Sequence, residues 1–332
     1  MLPISVLVPS RNSMSLLPGH VEAMRAWLDL VEEVVAVDSH STDGTLEFLQ
    51  RELKHPQTRV LTHPPGLYQS WNFGLAQCRA KYIYISTVGE TITRDGLSEL
   101  LATAEMLVAD VVISPPRMVQ MDGRPKDKEW PIHTLLQAVE ATSPFGLAGA
   151  AAQLLAVTFV QRGILGSSAS NLYRADVLQR FPFRTEFGTA GDLAWGLDHA
   201  GEVRWGIVPR SFSTFVFHPK AYAKSDYAVA DFALICLEAA EQAVQRRPWA
   251  GGGTDATQQE TMLGELLQVW REFIVAKRIV QGHKAKSPAW VFSPAAWRAH
   301  LERGRKLDRL ERAQDRALEE VKRSLIPARL SS

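Results

Sequence analysis

Short apolar runs alternate with amphipathic stretches over the first third of the chain. Ile4–Val8, Val34–Val37, Arg59–Thr62, Tyr82–Ser86 and Asp110–Ser114 read as strands. Between the first two, Val21, Met24, Trp27, Leu28 and Val31 recur at three- and four-residue steps and mark one apolar helix face. Leu46–Leu53, Tyr68–Cys78 and Arg94–Val108 fill the remaining gaps with helix. Strand–helix alternation of this kind implies an α/β fold with a mostly parallel sheet covered on both faces.

The pattern then changes. Pro115–Trp130 is polar and Pro-rich, with an Asp122-Gly123 turn signal, and reads as an excursion from the sheet. Thr134–Val160 reads as helical. Its apolar part, Pro144–Val160, falls short of the roughly 20 residues a spanning helix needs and contains Gln153, so a buried helix or a lid over a binding site is expected. Val203–Phe217 has strand character. After Ser225 the chain turns helical: Phe232, Ile235, Cys236 and Ala239 line one face, and Met262, Leu263, Leu266, Leu267, Trp270, Phe273 and Ile274 form a second stripe. Arg246–Thr254 is a linker by composition. Pro288 and Pro294 bound a connector, and Ala295–Leu325 is a helix laced with both signs of charge, expected to pack on the sheet domain rather than lie on a membrane. The expected organisation is a sheet domain over 1–224 and a helical extension over 225–332.

Charge changes this picture only by exclusion. The 37 Lys and Arg nearly cancel the 36 Asp and Glu, so no global field recruits nucleic acid. Cys78 and Cys236 both fall within apolar helical patterns, which suits packing roles in a reducing compartment better than a disulfide or metal framework. The first residues enter a core strand without a signal peptide. A cytoplasmic protein is expected, with peripheral contact at the inner face of a membrane left open. No Ser/His/Asp order, Cys-x-x-Cys pair, Walker sequence or Gly-x-Gly-x-x-Gly is present to start a hydrolase, redox or kinase reading.

The candidate chemistry starts at Glu33–Thr45, EVVAVDSHSTDGT. An apolar strand ends on Asp38, and Thr42 or Asp43 can cap the next helix. Ligands of open α/β sheets sit just past the carboxyl ends of the strands, which is where Asp38 stands. The N-terminal strand ends likewise in Pro9-Ser10-Arg11-Asn12. Together these segments resemble family 2 glycosyltransferases of the GT-A fold, whose first strand ends IPTYN or IPSRN and whose second reads VVDSGSTDGT. His40 replaces the usual Gly. Gly66–Ala76, GLYQSWNFGLA, is similar to the family's GIYDAMNKGI pattern, and Lys81–Glu90, KYIYISTVGE, occupies the place of EYIxFLNSGD or EYIxFLDADD. The four blocks stand in family order, and the resemblance reaches Met1–Tyr222.

The resemblance implies inverting transfer of a sugar from a nucleotide-diphospho-sugar, UDP- or GDP-linked, to a hydroxyl of a glycan, lipid-linked or protein acceptor, in surface polysaccharide or glycan assembly. Pro9, Ser10, Arg11, Asp38, Asn72 and Glu90 are the implied donor-binding residues. Asn72 matches the Asn beside the nucleotide, although Trp71 stands where Arg or Met is usual, and Asn72 serves equally well as a helix-surface residue. The family's Asp-x-Asp motif, which holds Mg2+ or Mn2+, is degenerate here: Thr87-Val88-Gly89-Glu90 keeps one carboxylate. Glu90 and His218 are the implied metal ligands, although an ordinary strand-end hydrogen bond accounts for His218 as readily. Two alignments place the family's catalytic Asp at Ala190 or at Asp192. The second makes Asp192 the base, and the same residue suits a helix N-cap. Glu186 is a backup carboxylate, and Asp198 and His199 are poorer candidates. Ser167, Ser168 and Asn171 stand where acceptor-side loops lie. The rival function is a noncatalytic scaffold that keeps the fold. A nucleotidyltransferase would need a Gly-rich loop after the first strand, which VPSRNSMS does not offer.

Overall fold

The computed structural model describes residues 1–126, 130–217, 229–246, 254–286 and 293–327. In chain order the first part runs β1 (Leu2–Ser10), α1 (Leu17–Met24), β2 (Val31–Asp38), α2 (Thr45–Glu52), β3 (Thr58–Thr62), α3 (Leu67–Leu75), β4 (Tyr82–Ile85), β5 (Thr91–Ile92), α4 (Arg94–Met106) and β6 (Val111–Ile113). All five expected strands are present. Successive side chains of a strand point to opposite faces, and the core divides accordingly. Leu7, Val35, Val37, Ile83 and Ile85 join one buried cluster, while Ile4, Val6, Val8, Val34 and Tyr84 join the other. Both faces being covered explains why these strands read as continuous apolar runs.

The middle of the chain continues as β7 (Arg117–Gln120), α5 (Pro131–Val139), β8 (Phe145–Leu147), α6 (Gly149–Thr158), β9 (Asn171–Arg174), α7 (Ala175–Arg180), α8 (Gly191–His199), β10 (Trp205–Ile207) and β11 (Ser213–Phe217). Here the structure corrects the sequence reading. The helical run expected over Thr134–Val160 is two helices with β8 between them. Pro144 disfavours helix at Ser143, and the next three residues pair with β10. The alternative of a lid over a binding site does not hold for α6, whose residues Ala151–Thr158 are all buried; a helix apolar all round belongs in a core. The polar stretch before Arg174 hides β9, which lies antiparallel between β4 and β6 at the centre of the sheet. Val203–Phe217 splits into β10 in the main sheet and β11 in a small one. The Pro-rich excursion contributes β7, which pairs with β11.

The remaining elements are α9 (Val229–Arg246), α10 (Thr254–Lys286), α11 (Pro294–Arg323) and β12 (Leu325–Pro327). The main sheet has the order β12-β8-β10-β6-β9-β4-β1-β2-β3, and the small one β5-β11-β7. Helices α10 and α11 form an antiparallel pair in which Glu272 meets Lys306 at 2.7 Å and Arg309 at 2.8 Å. The pair covers α6: the Trp270 indole and the Gln314 amide both donate to the Thr158 carbonyl, at 3.3 and 2.7 Å. The helix expected to reach Leu325 ends at Arg323 and passes into β12, the edge strand of the main sheet. Leu263, Leu266, Trp270, Leu310, Ala317 and Val321 are buried in the same cluster as the sheet residues.

Candidate active site

The strand order β4-β1-β2 places the ends of three parallel strands side by side. Ser10 pairs with Asp38 in register, and Asp38 with Thr62. The loops that follow are laced together. The Asn12 amide donates to Ser41 Oγ (2.8 Å), and the Thr42 amide to Asn12 Oδ1 (2.9 Å). Asp43 accepts from the Met14 amide (3.0 Å) and from the Thr45 amide and hydroxyl (3.1 and 2.6 Å). Gly44, with φ of 88°, holds the cap position that Thr42 or Asp43 was expected to fill. His40 has φ of 50°, which explains the usual Gly there; His is among the residue types that tolerate this region.

Asp38 is fully buried. Its Oδ2 accepts from the Ser41 amide at 2.8 Å and its Oδ1 from the Ser41 hydroxyl at 2.5 Å. Each oxygen retains a further lone pair. The Ser10 hydroxyl donates to the Val37 carbonyl at 3.4 Å, and Arg11 is exposed on the rim beside it. Pro9 lies in β1 opposite Val37.

Glu90 ends the turn that follows β4, closed by the Glu90 amide on the Thr87 carbonyl (3.0 Å) and by Gly89 at φ 94°. Beneath it, buried His20 lies 3.0 Å from the Ser86 hydroxyl. Burial pulls its imidazole down to about 4, against backbone hydrogen bonds to Glu90 and Ser86, so it supports the turn as a neutral ring. The Ser167 hydroxyl donates to Glu90 Oε2. Burial pushes the Glu90 carboxyl up to about 7, and the Ser167 hydrogen bond opposes that shift.

Asp192 lies in the first turn of α8 rather than at its cap. Its Oδ1 accepts from the Leu193 amide at 2.7 Å. Burial raises its carboxyl above the ordinary range, and the Tyr68 hydroxyl beside it favours the charged form. Glu90 and Asp192 open into one cavity of about 750 Å³, lined also by Trp71, Trp130, Arg162, Ser167 and Phe215. Phe232 of α9 completes one wall, so residues beyond 224 shape the site. Gly191 fixes the approach. A Cβ there would stand 2.3 Å from the Arg184 carbonyl and 2.4 Å from Tyr68 Cδ2. Gly191→Ala is therefore expected to cost about 2–3 kcal/mol by overpacking, seen as a lower midpoint in urea or thermal denaturation.

The other expected residues divide. Ser10, Arg11 and Asp38 stand on the same rim as Glu90, one and two strands away, each step about 4.8 Å. Asn72 does not face them: its amide donates to the Phe183 carbonyl (2.8 Å) and its Oδ1 accepts from the Phe183 amide (2.9 Å). It clasps the segment leading to α8. Glu186 pairs with Arg184 at 2.5 Å, and buried Asp198 binds Arg184 and Arg246. Asn171, expected on a loop, is buried in β9 and donates to the Leu165 carbonyl at 2.7 Å. His218 lies outside the described residues. Among the described residues no three His, Cys, Asp or Glu side chains could hold a metal ion together. Glu90 offers one carboxylate, so a divalent ion would have to complete its shell from a ligand's diphosphate and water.

Residues 5–158 match the profile of glycosyl transferase family 2. The chain carries a glycosyltransferase family 2 domain. The strand-end rim and Glu90 fall inside the matched residues, whereas Asp192 and Phe232 on the cavity wall lie beyond them. Among solved structures, the chain is similar to S. aureus TarS 1–349 in complex with UDP-GlcNAc, with 15% identity, a TM-score of 0.60, and 96% of this chain and 92% of that one covered. It is similar also to the mannosyltransferase PcManGT from Pyrobaculum calidifontis in complex with GDP-Man and Mn2+, at 15% identity, a TM-score of 0.52, and 96% and 87% coverage. At such identity the likeness is one of fold. No curated protein sequence matches the chain. Sequence reading had singled out neither Trp130 nor Arg162 nor Phe215, which come from connections and from the small sheet. Ser167 is one polar loop residue among many in the sequence, and the turn before β9 sets it against Glu90.

Proposed function

We propose that the family 2 domain carries out inverting transfer of a sugar from a UDP- or GDP-linked donor to a hydroxyl acceptor in surface polysaccharide or glycan assembly. The observation that supports it most is the convergence of Glu90 and Asp192 on one cavity beside the strand-end rim. Ser10, Arg11 and Asp38 would hold the nucleotide along that rim, Asp38 through the lone pairs its turn leaves over. Glu90 would face the diphosphate. A bound Mg2+ or Mn2+ would neutralise charge on the departing diphosphate, with Glu90 as its protein ligand. The carboxylate of Asp192 would take the proton from the acceptor hydroxyl. The aromatic walls from Trp71, Trp130 and Phe215 suit the apolar faces of sugar rings and exclude water. Asn72 would act by position, holding Phe183 and so the approach to α8.

A thermal-shift screen of UDP- and GDP-sugars with and without Mn2+ tests this reading. The preferred donor is expected to raise the melting temperature, because it binds only the folded state. It should also release nucleoside diphosphate slowly without acceptor. Failure of every donor on both readouts would defeat the proposal. If the proposed metal role holds, EDTA abolishes turnover; unchanged affinity and turnover in EDTA would remove it.

A further inference from the structure

No helix among the described residues is long and apolar enough to cross a membrane, yet the α10–α11 pair exposes a surface of unusual composition. Ten large apolar side chains are exposed among the described residues, and four of them belong to this pair: Val275 (49%), Ile279 (51%), Trp297 (56%) and Leu301 (56%). They come as two i, i+4 couples, one per helix, so each couple shares a helix face. The Glu272–Lys306 and Glu265–Arg316 contacts fix an antiparallel register that sets Ile279 opposite Leu301. The four therefore gather at the end of the pair remote from β12.

The same end is basic. From Phe273 to Lys306 the sequence has eight Lys or Arg and one acid, Glu302. The whole chain is net +1, so the rest of it is net acidic. Arg278, Lys284, Arg298 and Arg305 are exposed alongside the apolar couples. A surface that joins exposed Trp, Leu, Ile and Val to a local excess of cations is complementary to an anionic lipid bilayer. The apolar groups enter the headgroup boundary, and the cations meet the lipid phosphates. A second copy docking through the same patch would bring equal positive charge against it, and a neutral protein partner gives the cations no role. We infer that the end of the α10–α11 pair remote from β12 docks the protein on anionic membrane surfaces.

The test is cosedimentation of the whole chain with vesicles of phosphatidylglycerol and phosphatidylcholine, and with phosphatidylcholine alone. Binding is expected to the first and not the second, and to weaken as salt rises. The variant Trp297→Ser/Leu301→Ser should lose at least about tenfold in vesicle affinity, and Arg298→Glu/Arg305→Glu should lose the preference for anionic lipid. Both pairs are exposed and outside the cavity, so melting temperature and nucleotide binding should stay at parental values and separate lost docking from lost folding. No binding to anionic vesicles, equal binding to neutral ones, or undiminished binding by both variants would overturn the inference. So would self-association that Trp297→Ser/Leu301→Ser abolishes, without vesicle binding, since the surface would then serve a second copy.

Discussion

Asp192→Asn is expected to bind the nucleotide-sugar as the parent does and to transfer sugar at least about a hundredfold more slowly, the usual worth of a positioned general base. The substitution is nearly isosteric. An amide oxygen can still accept from the Leu193 amide, so the first turn of α8 should survive. What it loses is the ability to take a proton. A donor titration followed by melting temperature, paired with kcat at saturating donor, separates the two effects; near-parental kcat would reject Asp192 as base. The parent's pH profile offers a second check. Burial lifts the Asp192 carboxyl above the ordinary Asp range, and the base works only when ionised. The acid limb of kcat should therefore stand at higher pH than an exposed Asp would give, and activity should fall as pH drops through it.

Asp110→Ala is expected to cost about 3 kcal/mol of stability, the lower end of what breaking a buried charge pair costs, because Arg204 is half exposed. Asp110 precedes β6 at the sheet end opposite the cavity. Its Oδ2 accepts from the Arg204 amide at 2.8 Å, and its Oδ1 from Arg204 Nη2 at 2.9 Å and Arg174 Nη1 at 2.7 Å. One carboxylate thus ties the ends of β6, β9 and β10. Burial alone would raise its carboxyl, but hydrogen bonds and charge from Arg204, then Arg174, outweigh that and hold it low. A depressed folded value means that this contribution is complete above the ordinary carboxylate range and is lost as pH falls through the folded value. The variant should lose that part of the parent's acid sensitivity. Urea denaturation of parent and variant at neutral pH and near pH 3 checks both statements. Equal midpoints at neutral pH would show that the three strands hold without it.

What the sequence disclosed follows from how each element is stabilised. Val34–Val37 and Tyr82–Ile85 bury both faces, so composition alone reveals them. The turn around Asp38 is legible because its hydrogen bonds are local, from Ser41 three residues on. β9 is not legible, since its strand character comes from neighbours on both sides rather than from Asn171-Leu172-Tyr173-Arg174 itself. The same holds for β8, whose three residues are strand only because β10 and β12 flank them. In the candidate site, motif and spacing single out Glu90 and Asp192 as candidates. Their meeting in one cavity depends on contacts about a hundred residues apart, which no local pattern encodes. Asn72 shows the converse. Motif position suggested the nucleotide, whereas its amide is spent on a backbone 111 residues away.

The pairing of β12 with β8 bears on biosynthesis. Phe145–Leu147 lies between β10 and a strand made only at residues 325–327. On a chain emerging from the ribosome, β8 can pair with β10 only once residue 207 has been made, and its other hydrogen-bonding edge then stays open while about 120 further residues are translated. An open edge is a template for pairing with other chains, so the protein's solubility during synthesis rests on how quickly its last described strand arrives to close that edge.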